Sequence, residues 1–131
     1  MKTTALLLAT LFSISAFAHE GHDKNPGTVA APHGGVVQGT SQIYLELVTR
    51  KEGVVIYPFD HGMKPIPLKD VKLEGTMTLP RKTKAEAVKF SPEGDSFVAT
   101  IDAKGAYRYT LNLSVVLGGK KEKLEFNVEP Q

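Results

Sequence analysis

Residues 107–128 decide the fold class. They read Tyr107-Arg108-Tyr109-Thr110-Leu111-Asn112-Leu113-Ser114-Val115-Val116-Leu117, then Gly118-Gly119, then Lys120-Lys121-Glu122-Lys123-Leu124-Glu125-Phe126-Asn127-Val128. Tyr107, Tyr109, Leu111, Leu113, Val115 and Leu117 share one parity, and after the glycines Leu124, Phe126 and Val128 resume the alternation in the other. A period of two sends successive side chains to opposite faces of a strand, so each segment has one dry and one wet face. Two glycines between such segments are the composition of a tight hairpin turn.

The same pattern extends back to Val36. Ile43, Leu45 and Leu47 alternate with Tyr44 and Glu46, and Val71, Leu73, Gly75, Met77 and Leu79 alternate with Lys72, Glu74, Thr76 and Thr78. Turn chemistry separates the runs at Lys51-Glu52-Gly53, His61-Gly62, Pro92-Glu93-Gly94-Asp95 and Ala103-Lys104-Gly105. Residues 82–87 have helix-forming composition, but Val88 and Phe90 continue at strand spacing. The expectation is an all-β domain over residues 32–131, an antiparallel immunoglobulin-like β-sandwich of seven to eight strands. A small closed barrel carries the same periodicity and stays open as an alternative. The core is expected from Leu45, Leu47, Ile56, Leu73, Phe90, Phe97, Ile101, Tyr109, Leu111, Leu113 and Phe126, with Met77 in the same apolar parity.

The first eighteen residues carry a different signal. Lys2 is a positive n-region, residues 5–15 are an apolar run too short to span a bilayer, and Ala16-Phe17-Ala18 offers small residues to a signal peptidase. Residues 1–18 are therefore expected to be a signal peptide, and the mature chain to be periplasmic with no membrane span. Residues 19–31 open with His19-Glu20-Gly21-His22-Asp23, lack periodicity and are expected to be a flexible tail.

Composition removes several classes of function. The 131 residues hold 16 Lys and Arg against 14 Asp and Glu, a near balance unlike a phosphate-tracking nucleic-acid binder. With no cysteine, disulfide scaffolds, thiol catalysis and Cys-containing zinc sites are excluded. Gly-x-Ser-x-Gly, phosphate-cradling loops and His-Glu-x-x-His are all missing, so no enzyme is expected. The basic runs Arg81-Lys82-Thr83-Lys84 and Lys120-Lys121-Glu122-Lys123 suit hairpin ends and guarded edge strands.

The histidines are unevenly distributed. All four, His19, His22, His33 and His61, precede residue 62. His19 and His22, with Asp23 beside them, form a short His-rich tract that suits Cu(II) or Zn(II), or is merely a polar tail. His33 lies in Pro32-His33-Gly34-Gly35 and is either a ligand at the edge of the first strand or an exposed residue of an entry turn. His61 lies in Phe59-Asp60-His61-Gly62-Met63-Lys64-Pro65, where Asp60 and Gly62 satisfy hairpin geometry and Asp60, His61 and Met63 also have ligand character.

The order of these motifs resembles a known segment. Pro32-His33-Gly34-Gly35 is followed by Tyr44-Leu45-Glu46-Leu47-Val48, then Val54-Val55-Ile56-Tyr57, then Asp60-His61-Gly62-Met63-Lys64-Pro65-Ile66. This resembles the N-terminal segment of periplasmic adaptor subunits of heavy-metal efflux pumps and their small exported relatives, over about a third of the mature chain. The chain is too short for an adaptor's helical hairpin and barrel domains. The resemblance implies a periplasmic metal-binding role through His33, Asp60 and His61, with a component of an efflux system as partner. The expected function is that of a copper or zinc carrier or buffer; the alternative is an envelope interaction module with no metal role.

Overall fold

A computed structural model describes residues 29–131. The expected signal peptide, and His19, His22 and Asp23 of the tail, lie outside the described residues. Nine strands follow in order: β1 (Val36–Gly39), β2 (Tyr44–Arg50), β3 (Gly53–Phe59), β4 (Val71–Thr78), β5 (Glu86–Val88), β6 (Ser91–Glu93), β7 (Ser96–Thr100), β8 (Tyr109–Leu117) and β9 (Lys120–Val128). The described residues contain no α-helix, only a 3-10 turn at Leu68–Asp70. None of their helices is long and apolar enough to cross a membrane.

Every strand pair is antiparallel, and the strands form two separate sheets. One has the order β1-β2-β3-β7-β6, the other β5-β4-β8-β9. The chain changes sheet between β3 and β4, between β5 and β6, and between β7 and β8. No ladder joins the two sheets among the described residues, so the domain is a sandwich and not a closed barrel.

The strand count is nine where seven to eight were expected. Val88 and Phe90 were expected to continue at strand spacing up to a turn at residues 92–95, but the chain passes from one sheet to the other there, takes Pro92 and Glu93 into a strand, and leaves two three-residue pieces, β5 and β6. Phe90, between them, packs against the core. Its ring lies over Gly75, where a Cβ would come within 2.8 Å of it. That close approach explains a glycine in the apolar parity of β4.

The core joins Leu45, Leu47, Ile56 and Phe97 of the first sheet to Met77, Leu111, Leu113 and Phe126 of the second, all buried. Tyr109 is buried with them, whereas Leu73, Phe90 and Ile101 pack at the margin and stay partly exposed. Tyr107 departs from its expected place. A turn closed by the Ala106 amide on the Ala103 carbonyl (2.9 Å) precedes β8, which begins only at Tyr109. The alternation therefore stops short of Tyr107, and that side chain is 71% exposed.

The β1–β2 turn is tied across to the second sheet. The Ser41 amide and hydroxyl donate to Glu122 Oε2 at 3.0 and 2.9 Å, and Lys120 Nζ donates to the Ser41 hydroxyl at 2.9 Å. Desolvation works to raise the Glu122 pKa, but the Ser41 donors lead the opposing effects and hold it below its ordinary value.

Candidate functional site

Both faces of β3 are closed to solvent. Val54, Ile56 and Pro58 face the core, while Val55, Tyr57 and Phe59 face away from it, yet Val55 and Phe59 are buried too. What covers that outer face is the segment leading into β1. It carries the Pro32-His33-Gly34-Gly35 motif and is held down by a single carboxylate.

Glu46 was expected on the wet face of its strand. Its side chain is instead 0% exposed. An ionised carboxylate sealed from water must be compensated by hydrogen bonds, and here every one comes from the same short loop. The His33 backbone amide donates to Oε2 at 2.8 Å and to Oε1 at 3.2 Å, and the Gly35 amide donates to Oε2 at 3.0 Å. The His33 ring completes the set, with Nδ1 2.7 Å from Oε1.

The two glycines make this loop possible. Gly34 has φ +74, in the left-handed region that side chains resist, and its amide closes a turn on the Ala31 carbonyl at 3.0 Å. At Gly35 a Cβ would overlap the Leu47 carbonyl oxygen, so only glycine lets the loop lie against β2. The motif that sequence offered as a ligand-bearing strand edge or an entry turn is thus also a fitted cradle for a carboxylate.

A carboxylate accepts hydrogen bonds and does not donate them, so Nδ1 is the donor of this bond, and in the neutral ring Nε2 keeps its lone pair. The ring is stacked on Tyr57, with centroids 3.6 Å apart and planes 7° from parallel, and lies 6.2 Å from Phe59. Stacking fixes the plane and the carboxylate fixes rotation within it. The His33 side chain is still 36% exposed. The result is an oriented imidazole with one free nitrogen.

His61 stands on the neighbouring row. Tyr44 pairs with Phe59 across β2 and β3, just as Glu46 pairs with Tyr57. The His61 ring packs at 4.9 Å on Tyr44. Its Nε2 lies 3.2 Å from the Thr40 carbonyl, which can only accept, so Nδ1 is the nitrogen left free. Asp60 Oδ1 accepts from the Gly62 amide at 2.8 Å and the Lys64 amide at 2.9 Å. In this turn Met63, not Gly62, takes the positive φ, at +60. Gly62 is not held there by a positive φ, although a Cβ at that position would come within 3.2 Å of Asp60 Oδ1.

Among the described residues no three of His, Cys, Asp or Glu gather into a group able to hold a metal ion. His33 and His61 are separately oriented imidazoles, and His19, His22 and Asp23 fall outside the described residues. Comparison with protein families, with curated proteins and with solved structures finds no match.

Two contributors were missed in the sequence. Glu46 looked like an ordinary solvent-facing strand residue, and Tyr57 like an ordinary strand aromatic. One signal pointed to Glu46: it is the acidic residue of the Glu46-Leu47-Val48 motif that accompanies His33-Gly34-Gly35 in the resemblance described above.

Proposed function

We propose that this chain is a periplasmic heavy-metal-binding protein, a carrier or buffer for Cu(II) or Zn(II) serving an efflux or resistance system, with no enzymatic step of its own. The observation that carries the proposal is the Glu46–His33 pair. A buried carboxylate on Nδ1 that leaves Nε2 free is the arrangement by which proteins orient a histidine ligand and raise its basicity. The strand order, with chain crossings after β3, β5 and β7, supports an immunoglobulin-like frame beneath it.

One imidazole does not make a site. The further ligands come from His19, His22 and Asp23 on the same chain. His22 and His33 are eleven residues apart, which spans up to roughly 36–40 Å when extended, so one ion can take both. His61 and Asp60 provide a second, weaker locus, since one oxygen of Asp60 is already committed to its turn.

The test is titration of Cu(II) and Zn(II) into four forms of the exported chain: unaltered, lacking residues 19–23, His33→Ala, and both changes together. Each single change should weaken binding at least about tenfold, His33→Ala by removing one ligand and the deletion by removing three. The combined form should retain only what His61 holds. Unchanged affinity in His33→Ala would overturn the metal role of the folded domain and leave the interaction-module alternative.

A further inference from the structure

The outer face of the second sheet has an unusual chemistry at one end. Thr78, Thr110 and Asn127 are cross-strand neighbours in one row, and Thr76 and Asn112 pair in the row behind. These positions alternate with buried Leu111 and Leu113, so they point away from the core. Two shallow clefts lie on this face. One, of about 740 Å³, runs over Thr76, Asn112 and Ser114; the other, of about 610 Å³, runs over Thr78, Thr110 and Asn127.

The second cleft is walled by Arg81, Tyr107 and Arg108. Tyr107 is the most exposed large apolar side chain among the described residues, and the Arg108 guanidinium carbon lies 5.3 Å from its ring centroid. Neither arginine has a carboxylate within salt-bridge distance among the described residues, although Glu129 also lines the cleft. In sequence the basic run at 81–84 has no aromatic near it. Folding supplies one from 26 positions away.

Arg81 is held at a backbone cost. The Pro80-Arg81 turn is closed by the Lys82 amide on the Leu79 carbonyl at 3.2 Å. Arg81 takes φ +61 at the position where such turns favour glycine.

We infer that this cleft binds an acidic oligosaccharide, a chain of sugar rings carrying carboxylates. Planar guanidinium groups match carboxylates bidentately, and Tyr107 offers an apolar face with a polar tip for a ring to rest on. Threonine hydroxyls and asparagine amides donate and accept, as ring hydroxyls require. A peptide would be captured by pairing with an open strand edge. Here β8, in the middle of the face, is paired on both sides and offers only side chains, whereas β9 is the edge strand of the sheet, so a peptide control belongs in the test. The surface is independent of the histidines and of the metal proposal.

Isothermal titration of the purified chain in EDTA, against a galacturonic acid hexamer, tests this. The acidic hexamer should bind, and a neutral glucose hexamer and hexaglutamate should each bind at least about tenfold more weakly. Arg108→Gln and Arg81→Gly should each lower affinity for the acidic hexamer about tenfold, one lost charged contact. Arg81→Gly also relaxes the positive-φ turn, so its melting temperature should equal or exceed that of the unaltered chain, and lost binding is then not lost folding. Equal binding of hexaglutamate would replace the proposal with a general polyanion surface. Equal binding of the neutral hexamer, undiminished binding by both variants, or no binding of the acidic hexamer would overturn it.

Discussion

The Glu46 carboxylate and the His33 ring, thirteen residues apart, meet at 2.7 Å on the outer face of a sheet that would otherwise be open to water. Glu46→Gln keeps the size but replaces one acceptor oxygen with an NH₂ group, turning a donor toward backbone amides or the His33 ring N–H. The variant should lose about 2–4 kcal/mol of stability, the range for an unsatisfied or broken buried charged contact. Denaturant unfolding measures this. A loss below about 0.5 kcal/mol would mean that the cradle contributes nothing to the fold.

A second outcome concerns alkaline pH. Burial pushes the Tyr109 phenol from 10.0 up to about 12. The unfolded chain releases this proton near pH 10 while the native chain keeps it. The stabilisation is therefore complete below pH 10 and is lost as pH rises from 10 to 12. Its upper bound is about 3 kcal/mol, from about 1.4 kcal/mol per unit. Unfolding midpoints between pH 9 and 12 should fall more steeply for the unaltered protein than for Tyr109→Phe. Parallel curves would show that the phenol has no part in alkaline unfolding.

A third outcome follows from the metal proposal and the expected cut after Ala18. A free α-amine on His19 and its own imidazole Nδ1 close a chelate ring on Cu(II), which favours nitrogen donors in tetragonal geometry. One extra residue before His19 blocks that ring and leaves every side chain in place. The extended form should bind Cu(II) at least about tenfold more weakly. It should also give a different electron paramagnetic resonance spectrum. Identical affinity and spectra would exclude the terminal chelate.

How much of this was legible in the sequence differs between the two faces of the first sheet. The inner face obeys the period of two, and Leu45, Leu47 and Ile56 are buried as their parity requires. The outer face disobeys it, because alternation assumes a solvated side and cannot register that residues 30–35 fold back over β2 and β3. Glu46 was therefore misplaced while its neighbours Leu45 and Leu47 were not. Tyr107 failed for the converse reason: its parity was right, but the strand that would have given it meaning starts two residues later. Histidine spacing singled out His33, yet which of its nitrogens is free depends on a carboxylate thirteen positions downstream, and no local pattern encodes that.

The loop that Glu46 clamps also bears on how the chain reaches its fold. Closing His33 onto Glu46 bridges thirteen residues, and β2 and β3 are joined by a two-residue turn. The β4–β8 ladder of the second sheet instead requires Thr78 to find Thr110, thirty-two positions on, at its nearest pair. Short closures cost less chain entropy and form sooner than long ones. The β1–β3 unit with its carboxylate latch thus holds the shortest closures at the N-terminal end of the described fold, while its inner face still needs the second sheet to cover it. The β4–β8 ladder must wait until residues 110–117 are delivered.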